Sequence, residues 1–475
     1  MEIIIKFFEF LSILSDTMYT YILIPLLLII GILYTIKIKG GQFTHLGHVV
    51  KLITAPNKNS NKNSISPFKA FTISAASHIG TGNIVGISLA ISLGGPGAVF
   101  WMWIIALIGG ASSFVENTLG QVFKDRNENG EFHGGPAFYI RKALKMPKLA
   151  VFFSIIVCIT YGFMFNAMQA NTISTAFTSV FHFSPIVAAI IIIVLTGVII
   201  FGGLKRIADI TSLLVPVMAI LYLGLAIFIL IKNFNLIPGL ISIIFTSAFS
   251  AKAAAGGAFG AAILNGVRRG LFSNEAGMGA VPNASATADV SHPAKQGLIQ
   301  AMGVYLDTIV VCSATAFIVI LGGESIYLNP ELKGLAITQA AIAKEVGDWA
   351  HIFLMICVFM FAFSSIIGNY YYGENNIGEI GLGKKSLNVY RVMVLFILFL
   401  GSVGDFSKVW DTGDVFMGFM ALINLIVLFF LGKIAVEIYY DYFNQLKEGK
   451  DPVFHVKDIK SLEKYKDEIT VWDYE

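Results

Sequence analysis

Long apolar stretches recur along this chain from residue 17 to about residue 432, and each is about as long as the roughly 20 residues a helix needs to cross a bilayer core. Eleven can be read: 17–37, 68–93, 97–121, 149–178, 185–203, 208–231, 240–266, 296–322, 349–372, 387–403 and 409–432. A backbone in hydrocarbon must satisfy its own N–H and C=O groups, so stretches of this kind cross as helices. The expected fold class is an all-α polytopic membrane protein with eleven transmembrane helices. Composition agrees. The chain is 56% hydrophobic and 13% charged, where a soluble chain carries about 25% charged residues. The net charge of +3 comes from basic residues scattered between spans, which leaves no face for nucleic acid. Cys158, Cys312 and Cys357 lie within apolar spans without CxxC spacing and read as small buried apolar residues. Met1–Ser15 carries Lys6 and Glu9 with no small-residue cleavage site after it, so an amphipathic interfacial helix is expected there rather than a signal peptide.

Charge between the spans sets a sidedness. With the N-terminus outside, the inner loops collect Lys37, Lys39, Lys51, Lys124, Arg126, Arg141, Lys142, Lys205, Arg206, Arg268, Arg269, Lys295, Lys384 and Lys385, while few basic residues remain outside. The positive-inside rule then gives N-out, C-in, at the cell membrane. The tail from Asp441 is polar, carries no motif, and is expected to be cytoplasmic and partly helical.

One span is interrupted where a membrane helix would be expected to continue. Ser77-His78-Ile79-Gly80-Thr81-Gly82-Asn83-Ile84 sets two glycines, a threonine and an asparagine inside 68–93. Each unpaired backbone group in hydrocarbon costs several kcal/mol, so such a break is either a packing notch or a binding site. Span 240–266 is interrupted in turn by Ala255-Gly256-Gly257-Ala258-Phe259-Gly260. Leaving out the first span, ten remain as five plus five, each five begins with an interrupted span, and the two run in opposite directions. Glycine-interrupted spans at matching places in two halves point to a transporter's substrate site. GxxxG-like packing is the competing reading for Gly256 and Gly260. The expected organisation is 1–40 as N-terminal segment and first helix, 65–235 and 236–434 as inverted repeats, and 435–475 as tail.

Broken helices place opposite charges near the midplane. The half-helix beginning near Asn83 presents N–H groups and a positive dipole end, suited to a carboxylate. The half ending near Ile79 presents carbonyls at a negative end, suited to Na⁺ or an ammonium group. Gly80, Thr81, Gly82 and Asn83 are thus candidates for holding a zwitterion, with a cation beside it.

The segment Gly94-Gly95-Pro96-Gly97-Ala98-Val99-Phe100-Trp101-Met102-Trp103, together with Gly80–Asn83, Phe272-Ser273-Asn274-Glu275-Ala276-Gly277-Met278-Gly279 and Ser291-His292-Pro293, resembles the signature of the sodium:alanine symporter family, the alanine-or-glycine:cation symporters. The likeness runs through nearly the whole chain in order. It implies a fold similar to that of the bacterial leucine transporter with one helix added in front, and Na⁺-coupled symport of a small neutral amino acid. Membrane lipid is the surrounding partner, no organic cofactor or nucleic acid is expected, and a monomer is expected. No nucleotide motif or nucleophile–base pair suggests an enzyme.

That fold implies a sodium site between the first core helix and the eighth. The candidates here are the carbonyls of Ala76, Ile79 and Phe361 with the hydroxyls of Ser364 and Ser365, although serines in membrane helices also bond back to their own helix. Asp307 lies about twelve residues into 296–322, and a carboxylate at that depth is a functional candidate by default. It is read as a ligand for a second cation, a proton carrier, or a partner of Lys252. For substrate, Asn166 and Gln169 share a helix face beside Phe165, and Phe259 could close over the side chain, with Gly256 and Gly257 nearby. Glu116 is read as bracing a broken helix. Asn274 and Glu275, following Arg268 and Arg269, are read as a cytoplasmic gate bonding across to the first broken helix. His78 reads as structural. Coupling to H⁺ through Asp307 or His78, an uncoupled facilitator and an amino-acid sensor are the competing functions.

Overall fold

The computed structural model describes residues 2–54, 64–249, 258–381, 383–404 and 409–472. The principal helices are α1 (Glu9–Lys37), α2 (Pro67–His78), α3 (Val85–Gly94), α4 (Gly97–Val122), α5 (Pro147–Phe181), α6 (Pro185–Ile200), α7 (Gly203–Lys232), α8 (Ile237–Ala248), α9 (Ala258–Asn274), α10 (Pro293–Gly322), α11 (Ala350–Ile377), α12 (Lys384–Val403) and α13 (Val409–Lys447). Among the described residues eight helices are long and apolar enough to cross a membrane on their own, and α2 with α3 makes a ninth, bent by 56°. The chain is therefore a multi-pass membrane protein. The two remaining expected crossings are shorter, with 16 residues in α6 and 17 in α9.

Helix starts follow the sequence. Ser66 caps α2 by accepting from the Lys69 N–H at 3.2 Å, with Pro67 in the first turn, where its missing N–H costs nothing. His292 caps α10 in the same way ahead of Pro293. Among the described residues three helices contain π turns: Tyr19–Leu23 in α1, Cys158–Phe165 in α5 and Leu306–Cys312 in α10. Such turns recur at functional sites because the added residue re-aims side chains. Two of these three flank the break between α2 and α3.

Close glycine contacts fix helix directions. A Cβ on Gly266 would meet Ala98 and one on Gly270 would meet Met102, so α9 and α4 run parallel. Gly86 lies against Arg269 and Gly94 against Ala262, so α3 and α9 run antiparallel. At one end of the bundle lie Gly95–Gly97, packed on Ser247 and Ala248. At the other lie Lys124 and a small hairpin pairing Asp125–Arg126 with Phe132–His133.

Four expectations are corrected. The N-terminal helix Glu2–Met18 continues through the π turn into Ile24–Lys37 rather than standing apart as an interfacial segment. Stretch 240–266 is not one span. α8 ends at Ala248 and α9 runs unbroken through Gly260, because alanine and glycine together are compatible with helix. Gly256, Gly257 and Lys252 lie outside the described residues, and of Phe259 only the backbone, inside α9, is described. Third, Arg268 and Arg269 are not loop charges. Both are largely buried, Arg268 bonding Asp16 at 2.6 Å and Arg269 bonding Asp414. An arginine neutralised inside the bundle carries no sidedness information, so the segment after it was misplaced. Fourth, Asp441 is still inside α13, and the tail begins after Lys447.

That tail is packed against the Lys124 end. The Phe454 N–H donates to the Ser291 carbonyl at 3.0 Å, Lys295 meets Asp451 at 2.7 Å, and Trp472 Nε1 donates to the Gln121 carbonyl at 2.9 Å. Lys124 lies beneath it, donating to the Ala288 carbonyl at 2.8 Å with the Phe132 ring 4.0 Å away. Burial pulls its ammonium down to about 7.

Candidate transport site

The first break is built from Ile79 to Ile84. α2 stops at His78, Ile79 and Gly80 are non-helical, and Thr81–Asn83 make one 3₁₀ turn before α3. Asn83 folds back so that its Oδ1 accepts from the Gly80 N–H at 2.9 Å. Its Nδ2 donates to Asp307 and to Cys312 Sγ. The Asn83 amide is therefore committed to holding the turn, and the expected contact with a substrate carboxylate falls to its neighbours. Among the described residues, Thr81 N–H is held only by Gln169 Oε1 at 3.4 Å, and Thr81 Oγ1 is buried with no hydrogen-bond partner. Buried polar atoms are generally paired, so this hydroxyl and this N–H are the break's open positions.

α11 closes one side of the break. Ser365 Oγ lies 2.9 Å from the Ala76 carbonyl and 3.0 Å from the Phe361 carbonyl. Gly80 is required here, since a Cβ would stand 2.2 Å from Ser365 Oγ. Ala76, Phe361, Ser365 and the turn at Ile79 are brought together. Ser364 shares the Phe361 carbonyl at 2.9 Å but, among the described residues, makes no hydrogen bond to α2 and faces Met218 Sδ on α7 at 3.3 Å. Hard oxygens of this kind, carbonyl and hydroxyl, are what an alkali cation exchanges for its water shell.

α5 closes another side. Its π turn ends at Phe165, and Gln169 follows one turn later to reach the break. Asn166 is turned to the Gly162 carbonyl of its own helix at 3.3 Å, leaving its Oδ1 buried and unpartnered. Phe165 stands edge-on to Phe272 of α9 at 4.9 Å, and Phe272 covers Gly82, where a Cβ would meet its ring at 2.8 Å. The Phe272 ring thus lies over a glycine, with the Phe165 ring packed edge-on against it.

Asp307 joins the halves. Its carboxylate accepts from Asn83 on the first break, from Ser273 at 2.6 Å on α9 and from Thr308 at 3.0 Å, and His78 Nδ1 lies 3.6 Å away. No contact with Lys252 is described. The π turn Leu306–Cys312 is what aims it inward. Thr308 was not named from the sequence, Ser273 was read only as part of the motif from Phe272 to Gly279, and Cys312 only as a small buried apolar residue, although a polar side chain inside an apolar span was the available signal.

The second break lies at Glu275–Val281, one stretch beyond where the glycine run suggested. α9 ends at Asn274, and Glu275, Gly277 and Gly279 take positive φ of 54°, 79° and 78°. That geometry suits glycine and ends the helix ahead of the short turn Pro282–Ser285. Glu116 of α4 accepts from the N–H groups of Gly277 at 3.0 Å and Gly279 at 2.9 Å. Asn424 of α13 donates to Glu116 at 2.7 Å and to the Gly277 carbonyl at 2.9 Å. Glu275 lies 3.1 Å from Ser77 Oγ at the end of α2. Asn274 bonds Thr308 on α10 at 3.1 Å, not the first broken helix. This segment lies at the depth of the first break rather than at a bundle end.

Two antiparallel broken helices with their breaks side by side, inside a bundle of apolar spans, define a membrane transporter. The profile of the sodium:alanine symporter family matches residues 5–456. Among curated relatives, the probable sodium/glutamine symporter GlnT of Bacillus subtilis is 48% identical over 94% of this chain and 92% of its own length. The amino-acid carrier protein AlsT of the same organism is 46% identical over 97% of this chain and 98% of its own. A sodium/proton-dependent alanine carrier protein of Bacillus sp. PS3 is 36% identical over 86% and 94%. The chain belongs to the sodium:alanine symporter family, whose members are cation-coupled amino-acid transporters and not enzymes.

Proposed function

We propose that this protein carries a small neutral amino acid, alanine or glycine, together with Na⁺ by alternating access. Residues 65–235 and 236–434 would serve as its inverted repeats, in the eleven-helix arrangement similar to the leucine transporter. The observation that carries the reading is the first break itself, where the Ser365 hydroxyl and the Ala76 carbonyl meet 2.9 Å apart behind Gly80. Those oxygens, with the carbonyls of Ile79 and Phe361, suit Na⁺. Thr81, Gly82 and Gln169 suit the substrate's charged ends, and Phe165 and Phe272 suit a short side chain. An apolar wall distinguishes one methylene by about 1–3 kcal/mol, so alanine over glycine is a preference of degree.

Basic residues gathered near Lys124 support placing that end in the cytoplasm, with the N-terminus outside. Glutamine is the competing substrate, favoured by the 48%-identical relative's description as a probable sodium/glutamine symporter. Proteoliposomes holding the purified protein test all of this. Labelled alanine is expected to accumulate under an inward Na⁺ gradient and to be displaced by glycine more strongly than by glutamine. Accumulation driven by a pH gradient and indifferent to Na⁺ would overturn the coupling ion. Stronger displacement by glutamine would overturn the substrate.

A further inference from the structure

A second polar cluster lies beside the transport site, on the Lys124 side of the first break. Ser77, one residue before the end of α2, has its hydroxyl 2.6 Å from Asn369 Oδ1 on α11 and 3.1 Å from Glu275 Oε1 at the start of the second break. All three residues are buried, Glu275 to 2% exposure. The phenol groups of Tyr161 on α5 and Tyr372 on α11 stand beside the same carboxyl group. Their rings meet edge to face at 5.0 Å. Among the described residues, Glu275 Oε2 and the two phenol oxygens meet no partner in strict hydrogen-bonding geometry, and the phenols are the hydroxyls beside that carboxyl group.

The proton count in this cluster is uneven. A serine hydroxyl has one hydrogen to give. At 2.6 Å from an amide oxygen, Ser77 spends it on Asn369. Ser77 Oγ can then meet Glu275 Oε1 only if the carboxyl group supplies the hydrogen. The charges facing Glu275 point the same way. Asp307 on α10 faces it with like charge, while the Ser77, Tyr161 and Tyr372 hydroxyls around it are neutral. Among the described residues no basic side chain is in ion-pair contact with Glu275. An ionised Glu275 would be buried with no cation to pair it and with Asp307 facing it, an arrangement proteins avoid.

We propose that Glu275 is a proton-binding site that latches the two broken helices together. As the carboxylic acid it donates to Ser77 and holds the end of α2 against the second break. On deprotonation the proton passes to water, Glu275 and Asn369 Oδ1 compete for one serine hydrogen, and the latch loosens. This deepens the transport reading and rests on it for one consequence: opening toward the Lys124 end requires loss of a proton. Acid on that side therefore holds the carrier closed, by up to about tenfold per pH unit for a single proton. The proton is a regulatory ligand here, distinct from the ions and substrate at the first break.

Infrared difference spectroscopy on the full-length protein in lipid tests the binding site without Na⁺, substrate or transport. Wild-type protein is expected to show a protonated-carboxyl stretch at neutral pH that Glu275→Gln removes. Wild type without that band, or a band untouched by the substitution in folded protein, would overturn the proposal. Either result would mean that Asn369 has its amide nitrogen toward Ser77 and no proton is bound. Should Glu275→Gln fail to fold, Ser77→Ala is expected to move the pH at which the band disappears by about one unit, and no movement would overturn it equally. Exchange of labelled alanine across proteoliposomes, with pH varied on the Lys124 side, then reads the latch. Wild type is expected to slow toward acid and Tyr372→Phe to shift that profile. A flat wild-type profile alongside the expected infrared band would overturn the latch, and absence of any alanine exchange would count against the transport reading alone.

Discussion

The two breaks are the same device held in opposite ways. At Glu275–Val281 two backbone N–H groups are fixed by Glu116, and Asn424 fixes both that carboxylate and the Gly277 carbonyl. At Ile79–Ile84 the turn is held from within by Asn83, while Thr81 keeps a loosely held N–H and an unpartnered hydroxyl. A fully buried carboxyl brace with three hydrogen bonds suits a hinge point that keeps its shape. A turn with open polar positions suits a ligand. The difference supports the proposal of binding at the first break and support at the second, although both interrupt a membrane helix.

Substitutions can break that contrast. The largest effect is expected from Glu116→Ala, which strands two buried backbone donors at about 1–3 kcal/mol each. Thermal unfolding of the purified protein should show a large loss of stability, and an unchanged transition would mean that Glu116 braces nothing. Gly80→Ala comes next. Its new methyl would push Ser365 Oγ off the Ala76 carbonyl, and the Na⁺ concentration for half-maximal uptake should rise about tenfold, or about 1.4 kcal/mol, with little change in stability. Gln169→Ala should raise the substrate KM by about five- to tenfold, the worth of about one ordinary hydrogen bond, and leave Na⁺ dependence alone. The smallest change is expected for Thr81→Val, a few-fold rise in substrate KM. Parallel losses of stability in these first-break variants would erase the distinction between the two regions.

How much of this was legible in the sequence follows from the physics of each signal. Hydrophobic runs of bilayer length are long-range and redundant, so the polytopic fold was readable, as was a break made by Gly80-Thr81-Gly82-Asn83 with two polar side chains. The break at Glu275–Val281 was missed because Ala255–Gly260, of which Ala258–Gly260 are described and helical, has more glycine than Gly277 and Gly279, yet glycine ends a helix only where φ turns positive or a partner holds the freed N–H. That partner, Glu116, lies 161 residues away from Gly277. Arg268 and Arg269 misled for a related reason, since Asp16 and Asp414 neutralise them from remote parts of the chain. Asn83 had the right residue type for a substrate ligand, but only the fold shows both ends of its amide already taken.

The most direct measurement is equilibrium binding of labelled alanine to the purified protein, with Na⁺ present or replaced by K⁺ at constant ionic strength. The predicted result is at least a tenfold loss of affinity without Na⁺ in the wild type, and a loss of that Na⁺ dependence in Ser365→Ala. Alanine binding equally well in K⁺, or a Ser365→Ala variant with wild-type Na⁺ dependence, would contradict a cation held at the first break.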